Sequence, residues 1–283
     1  MNRLRLIWRK SLNVVMLTLT GVAAFGVVAV LFLILGYFIW NGGTSLNLDF
    51  FLKLPRPEGE VGGGVANAIV GSLKLLFLAA IIGLPIGLLA GVYLAEFGGK
   101  TFSFVVRYTT DLLNGVPSIV IGMFAYSLAV VPVKHYSALA GGAALGLMVV
   151  PITVRATEEF LRAIPTSLRE GAMALGASKW RTIATVVVPA ASGGIITGML
   201  LALARVAGET APLIFTALGN QYWSPGWNQP ISALPLVVYN YAISPYDDWH
   251  RQAWAAGLVL LTLVLLANIG CRFVINRRGV RSV

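Results

Sequence analysis

The sequence predicts an all-α polytopic membrane protein with six transmembrane helices, and three observations carry that. Of 283 residues, 57% are apolar and only 11% charged, against roughly 45–50% and about 25% in soluble domains. Mean hydropathy is +0.81, and 11 acids with 21 bases are too few to cover a soluble protein of this size. Six stretches reach the roughly 20 apolar residues that a helix needs to cross about 30 Å of hydrocarbon. Finally, Lys and Arg divide unequally between alternate loops. A soluble enzyme and a disordered chain are excluded. The lone Cys271 excludes an internal disulfide framework and reads as a small apolar residue near a helix end.

The first span covers 14–40. Its basic prelude, Arg3, Arg5, Arg9 and Lys10, resembles the start of a signal peptide, but the apolar run exceeds the usual 7–15 residues or so and reads as a retained anchor. The others cover 66–95, 111–131, 137–160, 190–218 and 253–275. With both tails placed in the cytoplasm, fifteen bases fall inside and four outside, as the preference of Lys and Arg for the cytoplasmic side requires. Most bases therefore flank spans, and the net charge of +10 does not indicate nucleic acid. Pro85, Pro117, Pro151 and Pro212 interrupt spans. With 31 glycines they describe a tightly packed bundle rather than a simple anchor.

The segment 161–189 is expected in the cytoplasm. Ser167 and Glu170 have the spacing of a capping box. Leu168, Met173, Ala174 and Leu175 follow as a short helix, and Gly176 suits its left-handed end. Ser178 caps a next helix that holds Lys179, Trp180 and Arg181, and Pro189 closes the segment. A helix of about nine residues is marginal alone. Its apolar face and Trp180 fit either another protein's groove or a flat position in the membrane interface.

In the fifth span, Arg205 sits near mid-membrane, where a charge is costly and usually functional. Glu209 lies four residues on, on the same face of a continuous helix. Arg offers a planar fork of donors that suits a dehydrated oxyanion. The two residues fit either an anion path, with Glu209 holding the guanidinium when the path is empty, or a structural ion pair. Thr210 and Ser118 would add hydroxyls. Lys74 reads as snorkelling, Asp111 and Asn114 as capping residues of the third span, and His135 and His250 as solvated. The outer loop 219–250 is rich in Trp, Tyr and Pro, with a short interfacial helix expected within 231–243. No phosphate-binding loop with its lysine is present, since Gly62-Gly63-Gly64 lacks it. No catalytic triad or metal-ligand spacing appears either.

Glu170, Ala172, Gly176 and Pro189 stand at the spacing of the loop E-A-A, three residues, G, nine residues, I-x-L-P. Gly171 replaces an alanine, and Val186 and Val188 replace the last two apolar positions. This resembles the loop of bacterial ABC importer permeases. Asn114 to Gly122, Ala204 to Leu213, Asn220-Gln221-Tyr222-Trp223 and Gln229-Pro230-Ile231 are similar to permeases of the phosphate-specific branch. The resemblance runs from about residue 66 onward; before that it holds only in outline. It implies a type I importer bundle with a cytoplasmic coupling helix, and coupling roles for Glu170, Ala172, Leu175, Gly176, Trp180 and Pro189. It also implies a division into an anchor and outer loop (1–65), a permease domain (66–276) and a basic tail (277–283). The chain would bind no cofactor itself. ATP and Mg would sit on a pair of separate ATPase subunits, beside a second, related permease and a phosphate-binding protein in a bacterial inner membrane. The alternatives are an importer of another oxyanion such as sulfate or molybdate, or a secondary anion transporter or channel.

Overall fold

The computed structural model describes residues 3–277, with side chains for 7–270 and Phe273. The expectations for Cys271 and for the basic tail beyond Arg277 lie outside the described residues. The elements are α1 Arg3–Gly42, α2 Leu48–Leu52, α3 Ala66–Glu96, α4 Lys100–Gly115, α5 Ser118–Ala125, α6 Ala138–Arg162, α7 Thr166–Ala174, α8 Lys179–Thr182, α9 Val188–Ala207, α10 Ala211–Thr216, α11 Leu234–Ala242 and α12 Asp247–Arg277. Among the described residues, five helical runs are long and apolar enough to cross a membrane. A bent pair makes a sixth if counted as one span.

The core is the pairing of α3 with α6. Ala79, Gly83, Gly87 and Gly91 fall on one stripe of α3 at intervals of four. A Cβ at Gly83 would lie 2.7 Å from the Val149 Cβ, and Cβ atoms at Gly87 and Gly91 would each lie 2.5 Å from those of Thr153 and Thr157. Only glycine admits that approach. Van der Waals packing of close backbones is what holds helices together where the solvent is itself hydrocarbon. Leu75, Leu145, Val149, Val206 and Leu213 complete the central apolar cluster. Ser137 caps α6 by accepting from the Ala140 amide at 3.1 Å. By contrast α1 stays exposed along most of its length. It meets the bundle near Tyr37, Phe38 and Gly42, where the first two rings pack edge-on against Trp254 at 5.0 and 5.1 Å.

Two expected spans are broken. The third is not a straight helix over 111–131: α4 and the run Ser118–Val130 meet at 104°. Pro117 forces Val116 into extended backbone (φ −71°, ψ 131°), because the residue before proline avoids the helical region. Asp111 therefore lies within α4 and Asn114 near its end, and neither caps a span. The fifth span divides as well. α9 ends at Ala207 with Gly208 as its cap, and α10 starts at Ala211, with Thr210 at its cap position and Pro212 in its first turn. Below α9 the helical path is continuous from Lys179 to Ala207, so Pro189 lies inside it and does not close a loop. A π turn over Ile183–Val187, with the Val188 amide donating to the Ile183 carbonyl, offsets the ladder just ahead of the proline.

At the end of the bundle opposite α7, α11 is buried rather than flat in an interface. Leu234, Leu236, Val237 and Tyr241 are all buried and pack with α12 and α3. Burial, with Asp248 adding to it, pushes the Tyr241 phenol up to about 12.

Candidate functional site

The loop between α6 and α9 forms the first candidate site. α7 covers nine residues, Thr166–Ala174, as the spacing predicts. Its start differs. Pro165 occupies the cap position and Ser167 lies inside the first turn without a cap bond, so the Ser167–Glu170 capping box does not form. Pro165 presets the backbone for the first turn (φ −57°), which displaces the serine. The end forms as expected. Gly176 has φ +86°, its amide donates to the Met173 carbonyl at 2.9 Å, and the Ala177 amide donates to the Ala172 carbonyl at 3.2 Å. That bond pair is a Schellman closure. Ser178 then caps α8, accepting from the Arg181 amide.

The loop presents an apolar surface outward. Leu175 is 91% exposed, and Leu168, Met173 and Trp180 are exposed too. Glu170 is exposed and Ala172 half-buried. Contacts that the sequence reading missed hold this platform. Arg169 donates to the Glu96 carboxylate from Nε (3.1 and 3.3 Å) and from a terminal nitrogen (2.6 Å), and to the Ile164 and Leu161 carbonyls at 2.6 and 2.8 Å. Lys179 donates to the Glu96 carbonyl at 2.6 Å. Glu96 had a visible signal: an acid at the C-terminal end of an apolar helix opposes the helix dipole and needs a cation.

The second candidate site is the break after α9. Arg205 lies in the last turn of α9 and is exposed, while Glu209 and Thr210 are half-buried. Because α9 stops at Ala207, Glu209 leaves the helical face on which i and i+4 would meet. No ion pair joins Arg205 to Glu209 among the described residues. The Glu209 amide donates to the Val206 carbonyl at 3.1 Å. Ser118 starts α5 and is half-buried. α5 crosses α10 closely, with a Cβ at Gly122 falling 2.7 Å from the Pro212 Cα. Ser118 and Thr210 thus stand on or beside neighbouring elements, with no hydrogen bond joining them.

A charge cluster lies between α4 and α6. Glu158 is 2% exposed and meets Arg107 at 2.6 Å, Arg162 at 2.9 Å and Arg155 at 3.6 Å. Arg155 also grips Asp111 through two nitrogens. A buried acid of this kind needs such partners, because a charge without them is expensive in low dielectric. The i−3 and i+4 positions of Arg155 and Arg162 were legible in the sequence; Arg107 was not.

At the α11 end, the Lys74 ammonium reaches the loop between α10 and α11, as a snorkelling side chain does. It donates to the Ser224 carbonyl at 2.9 Å and the Pro225 carbonyl at 3.3 Å, and lies 5.5 Å from the Trp227 ring centroid. Asn67 donates to the Asn220 carbonyl at 2.6 Å. The histidines are half-buried and bonded rather than solvated: His135 meets Asn228 at 3.3 Å, and His250 meets the Ser244 carbonyl at 2.7 Å.

Known proteins resemble this chain along nearly its whole length. The phosphate transport system permease protein PstA of Yersinia pestis is 42% identical over 273 residues, 96% of this chain and 92% of that protein. The protein of the same description from Haemophilus influenzae is 45% identical over 271 residues, 95% of each. Among solved structures, an inward-facing MetNI methionine ABC transporter aligns with TM-score 0.60 at 22% identity, covering 77% of this chain and 94% of that one. A bacterial ABC transporter involved in import of the acidic polysaccharide alginate aligns at 0.52 and 17% identity. At such identities the likeness speaks for the fold alone. The family described as "Binding-protein-dependent transport system inner membrane component" matches residues 83–279. With α7 closed over Gly176 inside that range, the chain belongs to the binding-protein-dependent transport system inner membrane components.

Proposed function

We propose that the chain is the membrane permease subunit of an ATP-driven importer of inorganic phosphate. The observation that carries this is its identity of 42–45%, over about 95% of its length, with permeases named for phosphate transport. The chain does not hydrolyse ATP. It forms half of the translocation pathway beside a second, related permease. A pair of ATPase subunits holding ATP and Mg docks on α7, and a phosphate-binding protein delivers the substrate from the opposite side. Residues 1–65 serve as anchor and outer loop, and 66–276 as the permease domain.

Both termini and the loop 161–189 face the cytoplasm, while 219–250 faces outward. The split of basic residues supports that orientation. Glu170, Ala172, Leu175, Gly176, Trp180 and Pro189 serve coupling: the exposed apolar side chains enter the ATPase cleft, and the Gly176 turn sets the angle of α7. Arg205 serves the anion. An exposed guanidinium within a span is costly against lipid, so its face belongs against the second permease and the path. Glu209, Thr210 and Ser118 line the same region without pairing to Arg205.

The test is reconstitution of the four components in proteoliposomes. Phosphate uptake should require ATP, stop with vanadate and persist in excess sulfate. Uptake driven by a proton gradient without ATP would assign the chain to a secondary carrier. Competition by sulfate or molybdate would assign it to another oxyanion.

A further inference from the structure

The polypeptide joins α7 to α6 on one side and, through α8 and the π turn, to α9 on the other. From chain order alone, only those helices would receive a push delivered to α7. The structure adds a third connection, to the end of α3. Glu96 is 6% exposed, and the Arg169 fork spans its carboxylate on one edge and the carbonyls of Leu161 and Ile164, at the end of α6, on the other. A planar group with five donors ties three elements at once, which a lysine cannot do. On the far side of the Gly176 turn, Lys179 bonds the Glu96 carbonyl, stands 4.7 Å from the Phe97 ring centroid, and precedes Trp180, whose ring lies 6.3 Å from that of Phe97. The end of α3 is therefore gripped from both flanks of α7. Beyond the grip, α3 and α6 are locked through the glycine stripe at Gly83, Gly87 and Gly91.

α9 packs directly on α6, where Gly194 faces Phe160 and Gly198 faces Ala156 too closely to admit a Cβ, but its chain link to α7 is of another kind. It passes through Ile183–Val187, where the hydrogen-bond ladder is offset by one residue, and then Pro189, which has no amide to donate. Such turns are where helices bend.

We propose that Glu96 and Arg169 are positioning residues of the transport cycle, clamping α7 to the α3–α6 pair so that these three move as one body and carry with them α9, which packs on α6 and bears Arg205. The clamp touches neither phosphate nor nucleotide. The inference rests on α7 being the helix on which the ATPase docks.

The complete importer in proteoliposomes tests this, with Glu96→Gln and Arg169→Lys each compared with wild type for assembled complex, ATP hydrolysis, and phosphate moved per ATP. Both variants are expected to assemble and hydrolyse ATP while phosphate moved per ATP falls by about tenfold, within the range of ordinary coupling between sites. The pair Glu96→Gln with Arg169→Lys should be no worse than the poorer single change, since both break one unit. A tether that only supports the fold lowers the yield of complex and leaves phosphate per ATP unchanged in what survives, and that result overturns the clamp. A second measurement does not depend on the variants assembling. In a Cys271→Ser background, spin labels at Ser167 and Ile86 should keep their distance when ATP binds. A change in that distance on ATP binding overturns the clamp. Cross-linking of Leu175→Cys to the ATPase separates the two readings: a cross-link with wild-type phosphate per ATP sinks only the clamp, and its absence sinks the docking reading and the clamp with it.

Discussion

The Ala177 amide reaches back to the Ala172 carbonyl across 3.2 Å, closing α7 over a glycine at φ +86°. A Cβ placed on that glycine would meet nothing within 4 Å. A substitution there is opposed by backbone strain, and by whatever docks outside, not by this chain's own side chains.

Gly176→Val should therefore insert and fold but lose binding-protein-stimulated ATP turnover and uptake. A β-branched residue in the left-handed region costs on the order of 1–3 kcal/mol. Gly176→Asn, which tolerates that region, should keep a larger share of uptake. Equal loss in both would shift the cause from the turn to contact with the ATPase. Wild-type uptake in both would remove the coupling role of the turn.

Arg205→Gln should sharply reduce phosphate uptake with little change in thermal stability of the complex, because Arg205 gives up no ion pair among the described residues. Adding Glu209→Gln should not restore uptake. Recovery in the double variant would show that the two residues pair in the assembled importer and only hold helices together.

Glu158→Gln should destabilise the bundle by about 1–3 kcal/mol, the range for a buried polar group that loses its charged partners' hydrogen bonds. Arg107, Arg155 and Arg162 would lose the acid they share, which is 2% exposed. Thermal unfolding in detergent measures this. A shift no larger than that of an exposed ion pair such as Lys53 with Asp49 would mean that Asp111 carries the cluster instead.

Sealed cells test the orientation. In a Cys271→Ser background, Asn228→Cys should react with an impermeant thiol reagent from outside, and Ser178→Cys should react only after the membrane is opened. External labelling of Ser178→Cys would invert the topology.

What the sequence by itself determined here is what depends on neighbours in the chain. Span positions follow from apolar runs, since a helix in hydrocarbon satisfies its own backbone. The ends of α7 and α8 follow from Gly176 and Ser178, because caps are built within a few residues. The tertiary structure alone decided which distant groups meet. Arg169 finds Glu96, 73 residues away, and Arg107 finds Glu158 only because the bend at Pro117 lays α4 across α6. The glycines of α3 were visible, but not that Thr153 and Thr157 would fill the space they leave. Arg205 and Glu209 mark the boundary between the two kinds of information. Their spacing promises a shared face, yet the helix stops at Gly208 between them and restarts at Ala211 ahead of Pro212, and only the tertiary structure shows that this break is what packs α10 closely on α5.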